Sequence, residues 1–323
     1  MIATLRRNPV AVIMTLTVSG GLLWLMAHDV TVKPGALFWI GVLLLWAAMW
    51  IGNDALSGLS MSSTLVTRAR NLAVPAIFGL TLLLLWQLIA KGFGVPLVLL
   101  PAPSDIWIKL STSLPTLKAD FIQTFLRAVL PGWALGSLAG FLVAILCDAW
   151  GFLKRGLLPL GNLFAALPIV GVAPIMVMWF GFDWQSKVAV VFVMTFFPML
   201  VNAVTGLQAA GHLERDLMRS YGASYFDTLI KLRLPAAMPF IFNALKINST
   251  LALIGAIVAE FFGTPIVGMG FRISTEVGRL GLDMVWAEIA VAAIAGSAFY
   301  GLIALVERAV TFWHPSYRSR KDQ

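Results

Sequence analysis

Apolar residues run along this chain in stretches longer than a soluble core needs. An α-helix rises about 1.5 Å per residue and the hydrocarbon of a bilayer is about 30 Å thick, so a crossing takes about twenty apolar residues. Eight stretches meet that length or approach it: 10–27, 35–52, 72–90, 122–146, 158–180, 187–207, 239–262 and 284–307. The pattern predicts an all-α polytopic membrane protein with about eight transmembrane helices. Three polar intervals stand out between them. Residues 53–71 are rich in Ser, Thr and Gly, residues 91–121 are rich in Pro and Ser, and residues 208–238 form the only long, charge-bearing insert between two membrane-length runs.

That third interval carries its own periodicity. Leu213, Leu217 and Tyr221 fall at i, i+4 and i+8, with Glu214, Arg215, Asp216 and Arg219 on the wet side, which predicts a short amphipathic helix. Gly222 can close it in the left-handed conformation. Ser224, with Asp227 three residues on, has the form of a capping box for a second short helix, which Pro235 is expected to end because it lacks an N–H. Pro239 then suits the first turn of the apolar helix that follows.

Composition sharpens the class. Hydrophobic residues make up 59% of the 323, charged residues only 12%, against about a quarter in soluble domains. Mean hydropathy is +0.89. The net charge of +8 is spread through loops and tail, which is the pattern of positive-inside topology and not of a nucleic-acid face. If the first end is cytoplasmic, fifteen of the 23 Lys and Arg fall in inner segments and seven in outer ones, with Arg127 in a span. That places both termini and 208–238 inside. Arg6 and Arg7 precede the first run as in a signal peptide, but no small-x-small cleavage site follows, so it is read as a retained span. Cys147 is alone, excluding an intrachain disulfide.

Polar groups inside apolar runs mark candidate chemistry, because each carries a desolvation cost there. Arg127 lies one turn into a run and must snorkel, pair or face water; it is held equally as an interface anchor and as an anion-attracting group at the outer mouth. Pro168 and Pro174 in the fifth run free backbone carbonyls, as broken helices do where they line a cavity. Asn202, Asn243, Asn248 and Thr250 read as interhelical glue. Glu260, closing the seventh run, is expected to pair with Arg127 or Arg272, or to act in a gate. The Gly-rich stretch 264–283 predicts a short re-entrant helix on the outer face. No G-x-x-x-x-G-K-[ST] occurs, and three scattered His with one Cys offer no metal site or hydrolytic grouping. Catalysis by this chain is not expected, and any nucleotide energy has to come from a partner.

Asp216, Gly222, Leu232, Leu234 and Pro235 fall where the EAA motif (Glu-Ala-Ala, three residues, Gly, nine residues, Ile, one residue, Leu-Pro) of ABC-importer permeases places its fixed positions. Asp216 stands for Glu, Leu217-Met218 for Ala-Ala, and Leu232 for Ile. From about 121 to 308 the order Arg127, Leu167-Pro168, Ala173-Pro174, Trp179-Phe180-Gly181, Phe196-Phe197-Pro198, Ala259-Glu260 and Gly268-Met269-Gly270 also resembles that family, nearest its nitrate, sulfonate and taurine branch. The resemblance implies a six-helix permease core over 71–312 with a coupling loop at 208–238 between spans six and seven. Residues 1–70 would then be a two-span N-terminal extension with its linker, and 313–323 a basic cytoplasmic tail.

The resemblance further implies coupling to an ATPase through Asp216, Tyr221, Gly222, Ala223, Phe226, Leu232, Leu234 and Pro235. A translocation path would be lined from Arg127, Asn162, Pro168, Pro174, Met176, Trp179, Asn202, Asn248 and Glu260, with an outer gate at Gly268 and Gly270. The implied assembly holds two copies of the permease, two ATPase subunits binding ATP and Mg, and an extracytoplasmic substrate-binding protein, all at the bacterial inner membrane. This chain itself would bind no cofactor, metal or nucleic acid. The solute implied is small and anionic or sulfonate-like. The rival class is a secondary transporter driven by an ion gradient, which needs ionisable groups near the midplane.

Overall fold

The computed structural model of the protein describes residues 9–59, 63–165, 168–263 and 266–313, without the side chains of 64, 162, 164 and 165. Among them there is no strand. The helices are α1 (Pro9–His28), α2 (Ala36–Ser57), α3 (Thr64–Gly92), α4 (Pro103–Thr112), α5 (Leu114–Phe121), α6 (Leu130–Ala149), α7 (Gly151–Ala165), α8 (Ile169–Phe180), α9 (Trp184–Gln208), α10 (His212–Ser220), α11 (Tyr225–Thr228), α12 (Leu234–Glu260), α13 (Met269–Gly278) and α14 (Leu282–Val310). Two wider π-helical stretches, π1 (Ile122–Val129) and π2 (Leu229–Arg233), join α5 to α6 and α11 to α12. Each joined helix runs for 36 residues, about 54 Å, longer than the hydrocarbon is thick.

Among the described residues, seven helices are long and apolar enough to cross a membrane. The stretch predicted as one span over 158–180 is instead the pair α7 and α8. Pro168 caps α8 with extended backbone, so the run divides there.

The chain forms two compact units. In the first, residues 1–112 with 280–286, α1 and α2 pack as a hairpin around Leu23, Ala27, Val42 and Met49, with Leu88 of α3 completing the core. Ser104 and Asp105 tie α4 to α3, through hydrogen bonds between Ser104 and Gln87 and a 2.7 Å ion pair of Asp105 with Lys91, and Asp105 also accepts the Ala102 N–H at the start of α4 (3.3 Å).

The second unit, residues 113–279 with 287–323, is built on α6, α9 and α12. Gly132, Gly136 and Gly140 recur every fourth residue on α6, and a Cβ on each would lie 2.6 Å or less from α9: Val191, Thr195 and the Phe196 carbonyl. Backbones therefore approach as only small residues allow, which is how apolar helices gain packing where lipid competes for every methyl group. Asn248 of α12 sews the three together, donating to Ser137 Oγ (2.9 Å) and to the Thr195 carbonyl (2.7 Å).

Pro235 does not end a helix. The turn widens through π2 just before it, and Pro131 follows π1 in the same way, two residues past the last π position. A proline ring clashes with the carbonyl four residues back in an α-helix. The wider turn moves that carbonyl away and lets each Leu-Pro pass inside a continuous helix.

Candidate functional site

The second unit carries its chemistry at two ends. At one, the C-terminus of α6, the C-terminus of α9 and the start of α11 converge on Asp148. Arg233 grips its carboxylate with two nitrogens, Tyr225 donates its hydroxyl to Oδ2 (2.9 Å), and Arg233 Nε donates to the Leu207 carbonyl (3.0 Å). Both charges are largely buried. This clamp fixes the direction in which the 212–235 segment leaves the bundle. Asp148→Ala is expected to cost about 3 kcal/mol by leaving the largely buried Arg233 guanidinium without its carboxylate. A lowered melting temperature and faster proteolysis within 209–233 check it, and Asp148→Ala with Arg233→Leu should recover part of the loss.

From that clamp α10 projects, and none of its residues is buried. Gly222 closes it at φ +70, with Gly222 N–H on the Arg219 carbonyl (2.9 Å) and Ala223 N–H on the Met218 carbonyl (3.0 Å), a complete Schellman turn. The capping box predicted for Ser224 and Asp227 is formed in both directions. Leu213, Leu217, Tyr221 and Phe226 all face out, Tyr221 at 81% exposure and Phe226 at 69%. Asp216 pairs at 3.7 Å with Arg219 on the same surface. Leu232, Leu234 and Pro235 are half-buried. The apolar stripe of this amphipathic helix is thus uncovered.

At the opposite end of the same unit, α13 is held down through its first three amides. Gly268 N–H donates to Asp120 Oδ1 (2.7 Å), Met269 N–H to Thr124 Oγ1 (2.8 Å) and Gly270 N–H to Glu260 Oε2 (2.7 Å), while the Thr124 hydroxyl donates to Glu260 Oε1 (2.8 Å). Asp120 also takes Arg272 Nε at 2.9 Å, which holds that guanidinium above its ordinary pKa. Carboxylates at the amino end of a helix meet its unpaired amides and the positive end of its dipole. Lys187, buried, donates to the Phe182 and Gly263 carbonyls, tying the start of α9 to the same loop, and Glu288 is buried close to Asp120.

Both glycines there are forced. Gly268 has φ +141, and a Cβ on Gly270 would lie 2.1 Å from the Ile257 carbonyl. Glu260 therefore pairs with neither Arg127 nor Arg272, contrary to the expectation from charge alone: the hydroxyl and amide donors are closer, and Arg272 is taken by Asp120.

The remaining path candidates separate. Met176 and Trp179 line an apolar groove of about 460 Å³ with Phe180, Trp184, Val188 and Phe192. Pro168 caps α8 and is exposed; Pro174 lies within it, half-buried. Asn202 donates to the Pro198 carbonyl of its own helix (2.8 Å) and Asn248 is fully buried. The side chain of Asn162 lies outside the described residues. Arg127 stands apart in a second cavity of about 490 Å³ with Gln123 and Asp183. Sequence reasoning missed Asp120, Thr124, Asp148, Lys187 and Arg233. Spacing held no signal for them, since their partners lie up to 152 residues away.

Comparison with known proteins gives one answer. The model of the binding-protein-dependent transport system inner membrane component matches residues 136–316. The chain is 30% identical to the formylaminopyrimidine transport permease protein ThiX of Halalkalibacterium halodurans, over 74% of this chain and 95% of that one. It is 28% identical to the putative aliphatic sulfonates transport permease protein SsuC of Bacillus subtilis, over 77% and 88%. With the taurine transport system permease protein TauC of Escherichia coli it shares 27% identity, over 72% and 86%.

Proposed function

The chain belongs to the binding-protein-dependent transport system inner membrane component family, and from that premise we propose that it is the permease of an ATP-driven importer for a small oxyanion-bearing solute, turned by its ATPase through residues 212–235. The family makes it a multi-pass inner membrane protein and a transport permease, not an enzyme, and implies an ATPase and a substrate-binding protein as partners. The observation that carries the coupling reading is the uncovered stripe of α10, held at a fixed angle by the Asp148 clamp and the Gly222 turn. Differential contact of the ATPase with this stripe in its two nucleotide states is what would shift the permease between inward-facing and outward-facing forms. ATP and Mg belong to the ATPase.

With the 212–235 segment cytoplasmic, as the distribution of Lys and Arg favours, the α13 end faces outward, and with α7 and α8 together making one more crossing beside the seven long helices, both termini lie inside. Gly268 and Gly270 then let the outer loop close over Glu260. Two copies of the chain would form the path, with Met176 and Trp179 of α8 toward its axis, and the exposed side of α8 supports a partner there. The two N-terminal helices are an extension outside that core. The test is co-purification: the chain should capture its ATPase and stimulate or restrain its hydrolysis, and a chain lacking residues 1–60 should do the same. An ion-gradient transporter would instead lose uptake on collapse of the proton gradient and show no dependence on the ATPase.

A further inference from the structure

Glu288 is a carboxyl to which nothing among the described residues donates. It is fully buried, and neither of its oxygens meets an N–H or O–H. The polar group that faces it is another carboxyl, Asp120, also fully buried. The acids around it are satisfied: Asp120 takes the Gly268 amide and Arg272, and Glu260 takes the Thr124 hydroxyl and the Gly270 amide. Charge gives the same result. Asp120 on α5, Glu260 on α12 and Glu288 on α14 are three carboxyls, and the cations among them are two, Arg272 on α13 and Lys187 on α9. The other nearby charges are taken, Glu276 by Arg279 on α13, Asp283 by Lys109 and Glu307 by Lys246.

A bare carboxylate is too costly to bury without donors, and two that face each other repel. One proton removes a charge and turns the repulsion into a hydrogen bond. No group of three acidic, His or Cys side chains among the described residues is placed to hold a metal ion, so the proton is the ligand that fits. We infer that Asp120 and Glu288 share one buried proton, and that this proton is the catch on α13, letting Asp120 keep its hold on the Gly268 amide. When α13 lifts, water reaches the pair and Glu288 ionises at the ordinary value for a glutamate, about 4.3. Lifting then releases one proton to solvent, so each pH unit above that value favours it about tenfold, until the closed form too has lost its proton. The hold is full in acid and is lost as pH rises. This goes beyond the importer reading and does not depend on it.

The test uses the full chain in lipid nanodiscs, open to protease from both faces. Cleavage within 266–282 is timed as pH is raised, and each rate is divided by that of Glu288→Gln at the same pH, which cancels the protease's own profile. The carboxamide donates to Asp120 and has no proton to lose, so the ratio should climb by up to about tenfold per pH unit. For cleavage within 209–233 it should stay flat. Glu288→Met, which leaves no donor unsatisfied, serves as a second denominator and should give the same slope. Infrared spectra read the proton directly: the carbonyl stretch of a protonated acid should be present in the unsubstituted chain at neutral pH, kept in Glu260→Gln and absent in Glu288→Gln. A flat ratio within 266–282, no such band, or a band that Glu288→Gln keeps overturns the inference. Protection of 266–282 that follows added sodium at fixed pH assigns the acids to a metal cation and overturns it as well.

Discussion

Gly222→Val is expected to reduce ATP-driven transport to background while the chain inserts and accumulates as before. At φ +70 a β-branched residue is strained by about 1–3 kcal/mol, and nothing stands within 4 Å of a Cβ there, so the penalty is conformational and not a clash. The chain escapes the strain by unwinding the Schellman turn, and the angle between α10 and α11 is lost. Because α10 buries nothing, the bundle keeps its stability. The measurement is hydrolysis by the ATPase with the variant chain, together with recovery of the complex on a tag. Gly222→Asn, which tolerates the left-handed region, should retain much of the activity. Full coupling in Gly222→Val would show that the turn is only a connection.

Glu260→Ala should have the second large effect, at the other end. It removes the acceptor of the Thr124 hydroxyl and the Gly270 amide, both buried, at about 1–3 kcal/mol for each donor left unsatisfied. The amino end of α13 is then held only by Asp120 and Thr124. We expect faster proteolysis within 261–282 and loss of transport, with association to the ATPase unchanged. Glu260→Gln keeps one acceptor oxygen and should fall between. If proteolysis of the outer loop matches the parent in Glu260→Ala, the carboxylate does not hold it.

Seven of the eight predicted spans were legible because apolar length is a property of consecutive residues and the bilayer sets the length required. The capping box at Ser224 and the turn at Gly222 were legible for the same reason, being local. Pro235 misled because a proline stops an α-helix but not one that has already widened, and nothing in the residues before it announces a π turn. Glu260 misled in another way. Opposite charges in the sequence invited a pairing with Arg127 or Arg272, but the fold offered nearer donors, a threonine hydroxyl 136 residues away and a backbone amide. Polar residues buried among helices are satisfied by whatever packing brings beside them, and packing between distant spans is not written in spacing. The lone Arg127 was visible as a charge; that it shares a cavity with Asp183 was not.

The most direct measurement is cross-linking from the uncovered stripe. With Tyr221→Cys in membranes that also hold the ATPase, a short bismaleimide should give an adduct of this chain with the ATPase, and its yield should change when ATP is added. No adduct, together with labelling of Tyr221→Cys by a membrane-impermeant maleimide applied outside intact cells, would contradict the account.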